Sequence, residues 1–150
     1  MSASFDSDLL FLIHDLARGM RTRADQRARR RGMTRAQWVI LARLERQPGM
    51  FQNELASIVE VEPITIARLV DRLEARGFVE RRPDPADRRL RRLHLLPAAT
   101  SVLEEIHAYR AELNELLTAG VEGERVEALT RDLKQMKANL LAEPRDARAV

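Results

Sequence analysis

PITIARLVDRLEARGFVERRPDPADRRLRRLHL, residues 63–95, changes its hydrophobic period part-way, and that change decides the fold. Ile66, Leu69, Val70 and Leu73 recur at spacings of three and four, the mark of one apolar helical face. Pro63 stands at the first helical position, where its missing N–H costs nothing. Gly77 supplies the left-handed residue that ends the helix near Arg76. Beyond it the period shortens. Phe78 to Arg82 reads as a strand and Leu90 to Leu95 as another, and residues 83–89, with two prolines and two aspartates, make a polar loop between them.

Upstream, Thr34-Arg-Ala-Gln37 fits a capping box. It opens a helix carrying Trp38, Leu41 and Leu44, which Pro48-Gly49 ends. A short helix follows over Gln52 to Val59 with Leu55, Ala56 and Val59 inward, then a tight turn at Glu60 to Glu62. Helix, short helix, turn, helix and β-hairpin make a winged helix-turn-helix. The fold class is mostly α with a small β-hairpin wing (α+β).

Long stripes flank this lobe. Phe5, Leu9, Leu12, Ile13, Leu16 and Met20 form one, with Asp6 or Ser7 as cap and Gly32 as stop. Val102, Ile106, Tyr109, Leu113 and Leu116 form a second. Val126, Leu129, Leu133, Met136 and Leu140 form a third, and residues 120–123 break the chain between these two. Helices that cannot bury such faces alone bury them in a partner. The expectation is one domain over 1–150, with helical dimerisation arms at 1–32 and 98–142, a DNA-binding lobe at 33–97 and a tail at 143–150. The alternative is a monomeric bundle.

The composition narrows the function. The chain has 150 residues, is 45% hydrophobic and 33% charged, and contains no cysteine. Disulfides, thiolate zinc sites and thiol chemistry are excluded. No apolar run approaches the ~20 residues of a membrane helix, and the acidic start lacks a basic signal-peptide region, which points to the cytoplasm and to no membrane partner. Net charge falls from +5 over residues 1–50 to −3 over 98–150, and 24 of the 26 basic residues are arginine. Arginine's planar fork suits phosphates and base edges.

On the helix 63–76, Thr65, Arg68 and Arg72 share the stripe opposite the apolar face. Arginine takes guanine O6 and N7 with two hydrogen bonds, and a recognition helix presents its N-terminal residues, here from Pro63 on, to base edges. The bland reading pairs these arginines with neighbouring acids. The hairpin weighs against it, because Arg81, Arg82, Arg88, Arg89, Arg91 and Arg92 concentrate like charge within twelve residues. An arginine at such a tip suits a narrow minor groove, with Asp87 orienting it. The DNA-facing set is therefore Pro63, Thr65, Arg68, Arg72, Arg88, Arg89 and Arg91.

Leu55-Ala56, the run Glu62 to Arg72, Leu73-Glu-Ala-Arg-Gly-Phe-Val-Glu-Arg81 and Asp87-Arg-Arg89 together resemble the MarR/SlyA regulators. The likeness covers about residues 30–100, and the flanking helices match the family's dimerisation arms in placement. It implies a homodimeric transcription factor, usually a repressor, on a palindromic operator in double-stranded DNA. It also implies relief by a small aromatic, anionic or lipophilic ligand, with Arg89 as the minor-groove arginine and Asp87 and Arg88 as its support. Two features depart from the family. Phe51-Gln52 stands where Ser or Thr commonly precedes the short helix, and Pro97 follows Leu96 with no oxygen cap.

An effector site belongs where the arms meet the lobe, since a small shift there changes the separation of two recognition helices. His14, Arg18 and Trp38 are its candidates, Arg18 for a carboxylate and Trp38 for a ring; the plainer reading puts Trp38 in the core and Arg18 on the surface. Arg21 to Arg31 either complement a helix dipole or meet phosphates. His14, His94 and His107 lack metal-ligand spacing, and with no P-loop, dinucleotide fingerprint or nucleophile elbow, neither metal, cofactor nor enzyme is expected. Alternatives are an architectural protein without sequence preference, a protein-interaction module built on the helical arms that has lost DNA function (which the intact wing arginines argue against), and a regulator that activates.

Overall fold

The computed structural model describes residues 7–142. Asp6 and the expected tail over 143–150 lie outside the described residues. The elements run α1 (Leu9–Arg29), α2 (Arg35–Arg46), β1 (Met50–Phe51), α3 (Gln52–Val59), α4 (Pro63–Ala75), β2 (Val79–Pro83), β3 (Arg91–Leu95), α5 (Thr100–Thr118) and α6 (Gly123–Ala142).

Local chemistry explains the boundaries. Asp8, rather than Ser7, caps α1, its Oδ1 accepting from the N–H groups of Leu10 at 2.9 Å and Phe11 at 3.2 Å. The capping box at α2 is closed both ways: Thr34 Oγ1 accepts from Gln37 N–H and Gln37 Oε1 from Thr34 N–H. At α3 the Glu54 carboxylate reaches back to the Phe51 N–H at 3.0 Å, so the helix starts without a hydroxyl cap. Glu60 takes the left-handed conformation after α3, at φ 57°. Gly77 does so after α4 at φ 72°, and the Phe78 N–H there closes on the Leu73 carbonyl. Past β3, Pro97–Ala99 form a single 3-10 turn that leads into α5.

The sheet has three strands, not two, in the order β1-β3-β2, all antiparallel. β2 pairs β3 from Val79 opposite Leu95 to Pro83 opposite Arg91, and β1 adds Met50 opposite Leu93. A two-residue strand shows no alternation, so nothing in the local pattern marks it. What makes it is Gly49, at φ 78°, whose N–H donates to the Leu93 carbonyl at 2.9 Å.

The chain divides into two compact units, one up to Arg110 and one from Ala111. The first holds the whole buried core, where Ile40, Leu41, Leu44, Leu55, Ile66, Val70, Leu73, Val79 and Leu93 lose essentially all exposure. Each such side chain contributes about 1.5–3 kcal/mol. Ala99 of the 3-10 turn and Val102, Leu103 and Ile106 of early α5 join that core, so the first half of the second apolar stripe is buried within this chain. The second unit contains the end of α5 and α6, and no residue of α6 is buried. Leu129, Leu133 and Leu140 stay 45–77% exposed, as do Leu9, Leu12, Leu16 and Met20 of α1 at 40–56%. Among the described residues no helix is long and apolar enough to cross a membrane.

Candidate nucleic-acid interface

α4 sorts its faces as the spacing requires. Ile66, Leu69, Val70 and Leu73 are buried, while Pro63, Thr65, Arg68 and Arg72 are exposed. Ile64 is exposed as well, at 62%. It stands beside Thr65 on the first turn and adds an apolar contact of the kind that meets a thymine methyl. An isoleucine next to an apolar stripe reads as part of the stripe, so the spacing alone does not single it out.

The acids that threatened to neutralise this helix are occupied elsewhere. Arg81 of β2 donates from Nη2 to Asp71 at 2.7 Å and from Nη1 to Glu74 at 3.2 Å. Its Nη2 also reaches the Ala67 carbonyl and its Nε the Gln52 Oε1, each at 3.1 Å. One guanidinium thus ties the wing to α4 and α3 together. Arg76 donates to the carbonyls of Arg31 and Gly32 and lies 4.9 Å above the Phe78 ring. Arg68 and Arg72 are left without an ion-pair partner among the described residues.

The six hairpin arginines therefore have three destinations. Arg81 and Arg92 turn inward, and Arg82 pairs with Glu80 along β2. Arg92 meets Asp84 at 2.5 Å, donates to the Gly49 carbonyl at 3.0 Å and stacks 4.2 Å from the Phe51 ring centroid. Arg88, Arg89 and Arg91 stay exposed at the tip. Asp87 Oδ1 accepts from the Arg89 backbone N–H and Nε, and its Oδ2 from Nη2, at 3.0–3.3 Å. The Arg89 guanidinium holds the Asp87 carboxyl below its ordinary range. Arg91 Nη1 donates to the Arg88 carbonyl.

The loop's organiser is Asp84, outside the DNA-facing set expected from the sequence. Asp84 is 5% exposed. Its Oδ2 accepts from the N–H groups of Ala86 and Asp87, both at 3.1 Å, and its Oδ1 from Arg92. That last bond is the chief reason its carboxyl titrates below the usual range, against the opposing pull of burial. The Asp-Pro-x-Asp spacing was the available signal, since an Asx turn uses the acid two or three residues before the N–H groups it caps.

The candidate effector residues fall into two environments. His14 and Arg18 are exposed on α1, and Arg18 pairs with Asp15 at 2.7 Å. Trp38 is buried, its ring edge-on to Tyr109 with centroids 5.8 Å apart. Trp38 Nε1 and Tyr109 Oη are both buried with no hydrogen-bond partner, and burial raises the Tyr109 hydroxyl pKa. In the arginine-rich end of α1, Arg27 and Arg31 pair with Glu105 of α5, a use that neither sequence reading covered. His94 lies on β3 and His107 pairs with Glu45 at 2.7 Å. Among the described residues no three His, Asp or Glu side chains gather as a metal site.

Comparison with known proteins gives the same picture. The MarR family model matches residues 33–90, the lobe just described. The uncharacterized HTH-type transcriptional regulator YybA of Bacillus subtilis is 25% identical over 134 residues, covering 89% of each chain. A MarR transcriptional regulator from Methanosarcina mazei superposes with a TM-score of 0.78 at 25% identity, over 87% of this chain and 94% of its own. The transcriptional regulator SlyA does so at 0.77 and 25%, over 89% and 94%. Residues 33–90 thus carry a MarR-family domain, and the chain is similar over most of its length to MarR/SlyA winged helix-turn-helix transcriptional regulators.

Proposed function

We propose that this regulator works in the cytoplasm as a homodimer that represses transcription from a palindromic operator and releases it when a small aromatic anion binds. One observation carries the DNA reading. Arg81 absorbs Asp71 and Glu74, so Arg68 and Arg72 stand unneutralised on the exposed face of α4. A helix that only needed solvation has no reason to keep its own acids away from its own arginines.

In this reading α4 enters the major groove with Pro63, Ile64 and Thr65 at its leading end and Arg68 on a base edge. Arg72 takes a phosphate. The wing follows into the adjacent minor groove with Arg89 held by Asp87 and flanked by Arg88 and Arg91. The exposed leucines of α1 and α6 supply the apolar faces that a second copy covers, and a two-fold dimer reads a two-fold site. Relief by an aromatic anion is supported by the unpartnered donors of Trp38 and Tyr109, with His14 and Arg18 the α1 residues that recognise its charge.

The test is selection of bound duplexes from a random pool, followed by titration of the selected duplex against random duplex at two salt concentrations. An inverted repeat with half-sites about one helical turn apart, bound at least ~10³-fold tighter than random DNA, is the expected result. A protein that only coats DNA returns no motif and a steep salt slope for every duplex. Promoter fusions then separate repression from activation, and addition of salicylate to the preformed complex reads out release.

A further inference from the structure

Two sets of polar contacts at the end of α1 join into one chain that runs from the arm helices to α4. Arg27 and Arg31, four residues apart, both pair with Glu105 of α5, whose side chain is only 18% exposed. Just past α1 the backbone turns: Gly32 is left-handed at φ 65°, and the Met33 N–H closes back on the Ala28 carbonyl at 3.1 Å. Ala28 and Met33 are buried in the core, which anchors this corner. The Arg31 and Gly32 carbonyls lie at the negative end of the α1 dipole.

Arg76 is seated on that end. It is the C-terminal cap residue of α4. Its Nη1 and Nη2 both donate to the Arg31 carbonyl at 3.3 Å, and Nη1 also reaches the Gly32 carbonyl at 3.5 Å. The same guanidinium lies over the ring of buried Phe78. Arg31 therefore works in two directions, with its side chain on α5 and its carbonyl on α4. The apolar face of α4 fixes how deeply the helix is seated, but apolar burial is non-directional and leaves the tilt free. A hydrogen-bonded tether at one end removes that freedom. The 13 residues of α4 span about 20 Å. A tilt of about 5° at the Arg76 end moves the Pro63 end by about 2 Å, enough to break a hydrogen bond to a base edge.

We infer that Arg76 is a positioning residue acting through α4 rather than on DNA. By way of the α1 corner and Glu105 it locks the tilt of α4 against the arm helices, and so sets the half-site spacing that the regulator accepts. The spacing claim rests on the homodimer and operator reading above; the tilt claim does not.

Two measurements test it. The chain has no cysteine, and Thr65 and Ser101 are exposed, so T65C/S101C offers one labelling site on α4 and one on α5. Nitroxides at both, in labelled chain diluted with excess unlabelled chain, report by pulsed dipolar resonance the distance within one molecule, without DNA. R76Q and E105Q should each shift or broaden that distance by about 2 Å. R76K, which still donates to the carbonyls, and R125Q on α6 should match the wild type. The second measurement uses duplexes carrying the selected half-sites with the spacer lengthened or shortened by one base pair. The wild type should lose at least about tenfold in affinity for either change, and R76Q and E105Q no more than about threefold. R76Q/E105Q should discriminate no worse than either single variant, because both act through one chain of contacts. A lobe that is merely destabilised weakens every spacing equally. Melting curves establish that each variant is folded, and E105Q carries the test if R76Q is not. Unmoved label distances in R76Q and E105Q, or a spacing profile as steep as that of the wild type, overturn the inference. A wild type indifferent to spacing whose labels do move in R76Q overturns the operator reading instead, and upholds the hold of Arg76 on α4.

Discussion

Arg92 and Asp84 meet at 2.5 Å across the base of the wing, and the carboxylate is almost wholly buried while it does so. The same aspartate caps the Ala86 and Asp87 N–H groups, and the same arginine reaches the Gly49 carbonyl and the Phe51 ring. This pair converts a polar seven-residue loop into a platform with a fixed direction. The exposed arginines at its tip inherit that direction.

Asp84→Asn keeps an acceptor for the two N–H groups and removes the charge. Because the folded carboxyl titrates below its unfolded value of ~3.9, its stabilisation is complete above that value and disappears as pH falls through the folded one. At pH 7 the variant should melt lower than the wild type, and the gap should close below about pH 4. A gap of constant size from pH 7 to pH 3 contradicts the assignment.

Arg81 holds α3 and α4 against the wing through five donor–acceptor contacts, counting its backbone N–H to Glu74 at 3.1 Å. Lysine at this position keeps the charge but has no fork to divide among Asp71, Glu74, Gln52 and the Ala67 carbonyl. Arg81→Lys should lose about 2 kcal/mol of stability, the scale of a charged hydrogen bond. It should also raise Arg81-dependent carboxylates into play: Asp71 and Glu74 become free to pair with Arg72 and Arg68, and operator affinity should fall further than stability alone explains. Denaturant titration and duplex binding on the same sample check both.

Arg68 and Arg89 should fail in different ways. In the proposed docking, Arg68→Ala removes a base-edge contact and should cost about 1–3 kcal/mol on the operator and relax preference at one base pair. Arg89→Ala acts on a groove lined by phosphates, weakening binding to every duplex and lowering the salt slope by about 1. Equal losses on operator and random DNA for Arg68→Ala exclude it as a sequence reader.

How much of this was legible depends on the range of the interaction involved. The faces of α4, the Pro63 start and the Gly77 stop are local, so spacing alone places Ile66, Leu69, Val70 and Leu73 inside and Arg68 and Arg72 outside. The Thr34–Gln37 box is equally local. Arg81 and Arg92 were not separable from Arg88 and Arg89 by sequence, because what turns them inward is Asp71 and Glu74 on another element and Asp84 across the hairpin. β1 escaped because its partner Leu93 lies more than forty residues away. Early α5 was read as an arm because Val102 and Ile106 continue one stripe with Leu113 and Leu116, and a stripe does not reveal where its cover changes.

The open leucines give a direct test of assembly. Leu16 on α1 and Leu133 on α6 are 55% and 45% exposed, and neither is a member of the buried core. Leu16→Glu and Leu133→Glu should each shift sedimentation from dimer to monomer at micromolar concentration, since burying an unpaired carboxylate in an apolar interface costs several kcal/mol. The lobe should still fold in those monomers, because its core is complete within one chain, and operator affinity should drop with the loss of the second recognition helix. Dimers of unchanged strength in both variants refute the use of these faces.

Gly49 and His94 couple the short strand to pH. Gly49 has φ 78°, and a Cβ there would lie 3.3 Å from His94 Cε1. Gly49→Ala therefore carries both the left-handed penalty and a close approach, and should cost about 1–2 kcal/mol. The His94 ring itself is pushed below its ordinary pKa by burial first, then by the neighbouring charges of Arg82 and Arg92, with Glu80 opposing them. As pH falls through ~6.5, the unfolded chain takes up a proton that the folded ring still refuses. Stability should thus decline from about pH 6.5 until the lower folded pKa is passed. His94→Gln, which cannot protonate, should flatten that part of the curve while leaving the acid limb set by Asp84. Melting temperatures of wild type, Gly49→Ala and His94→Gln between pH 8 and pH 5 decide it: a wild-type curve as flat as that of His94→Gln means the imidazole is not held neutral by its surroundings.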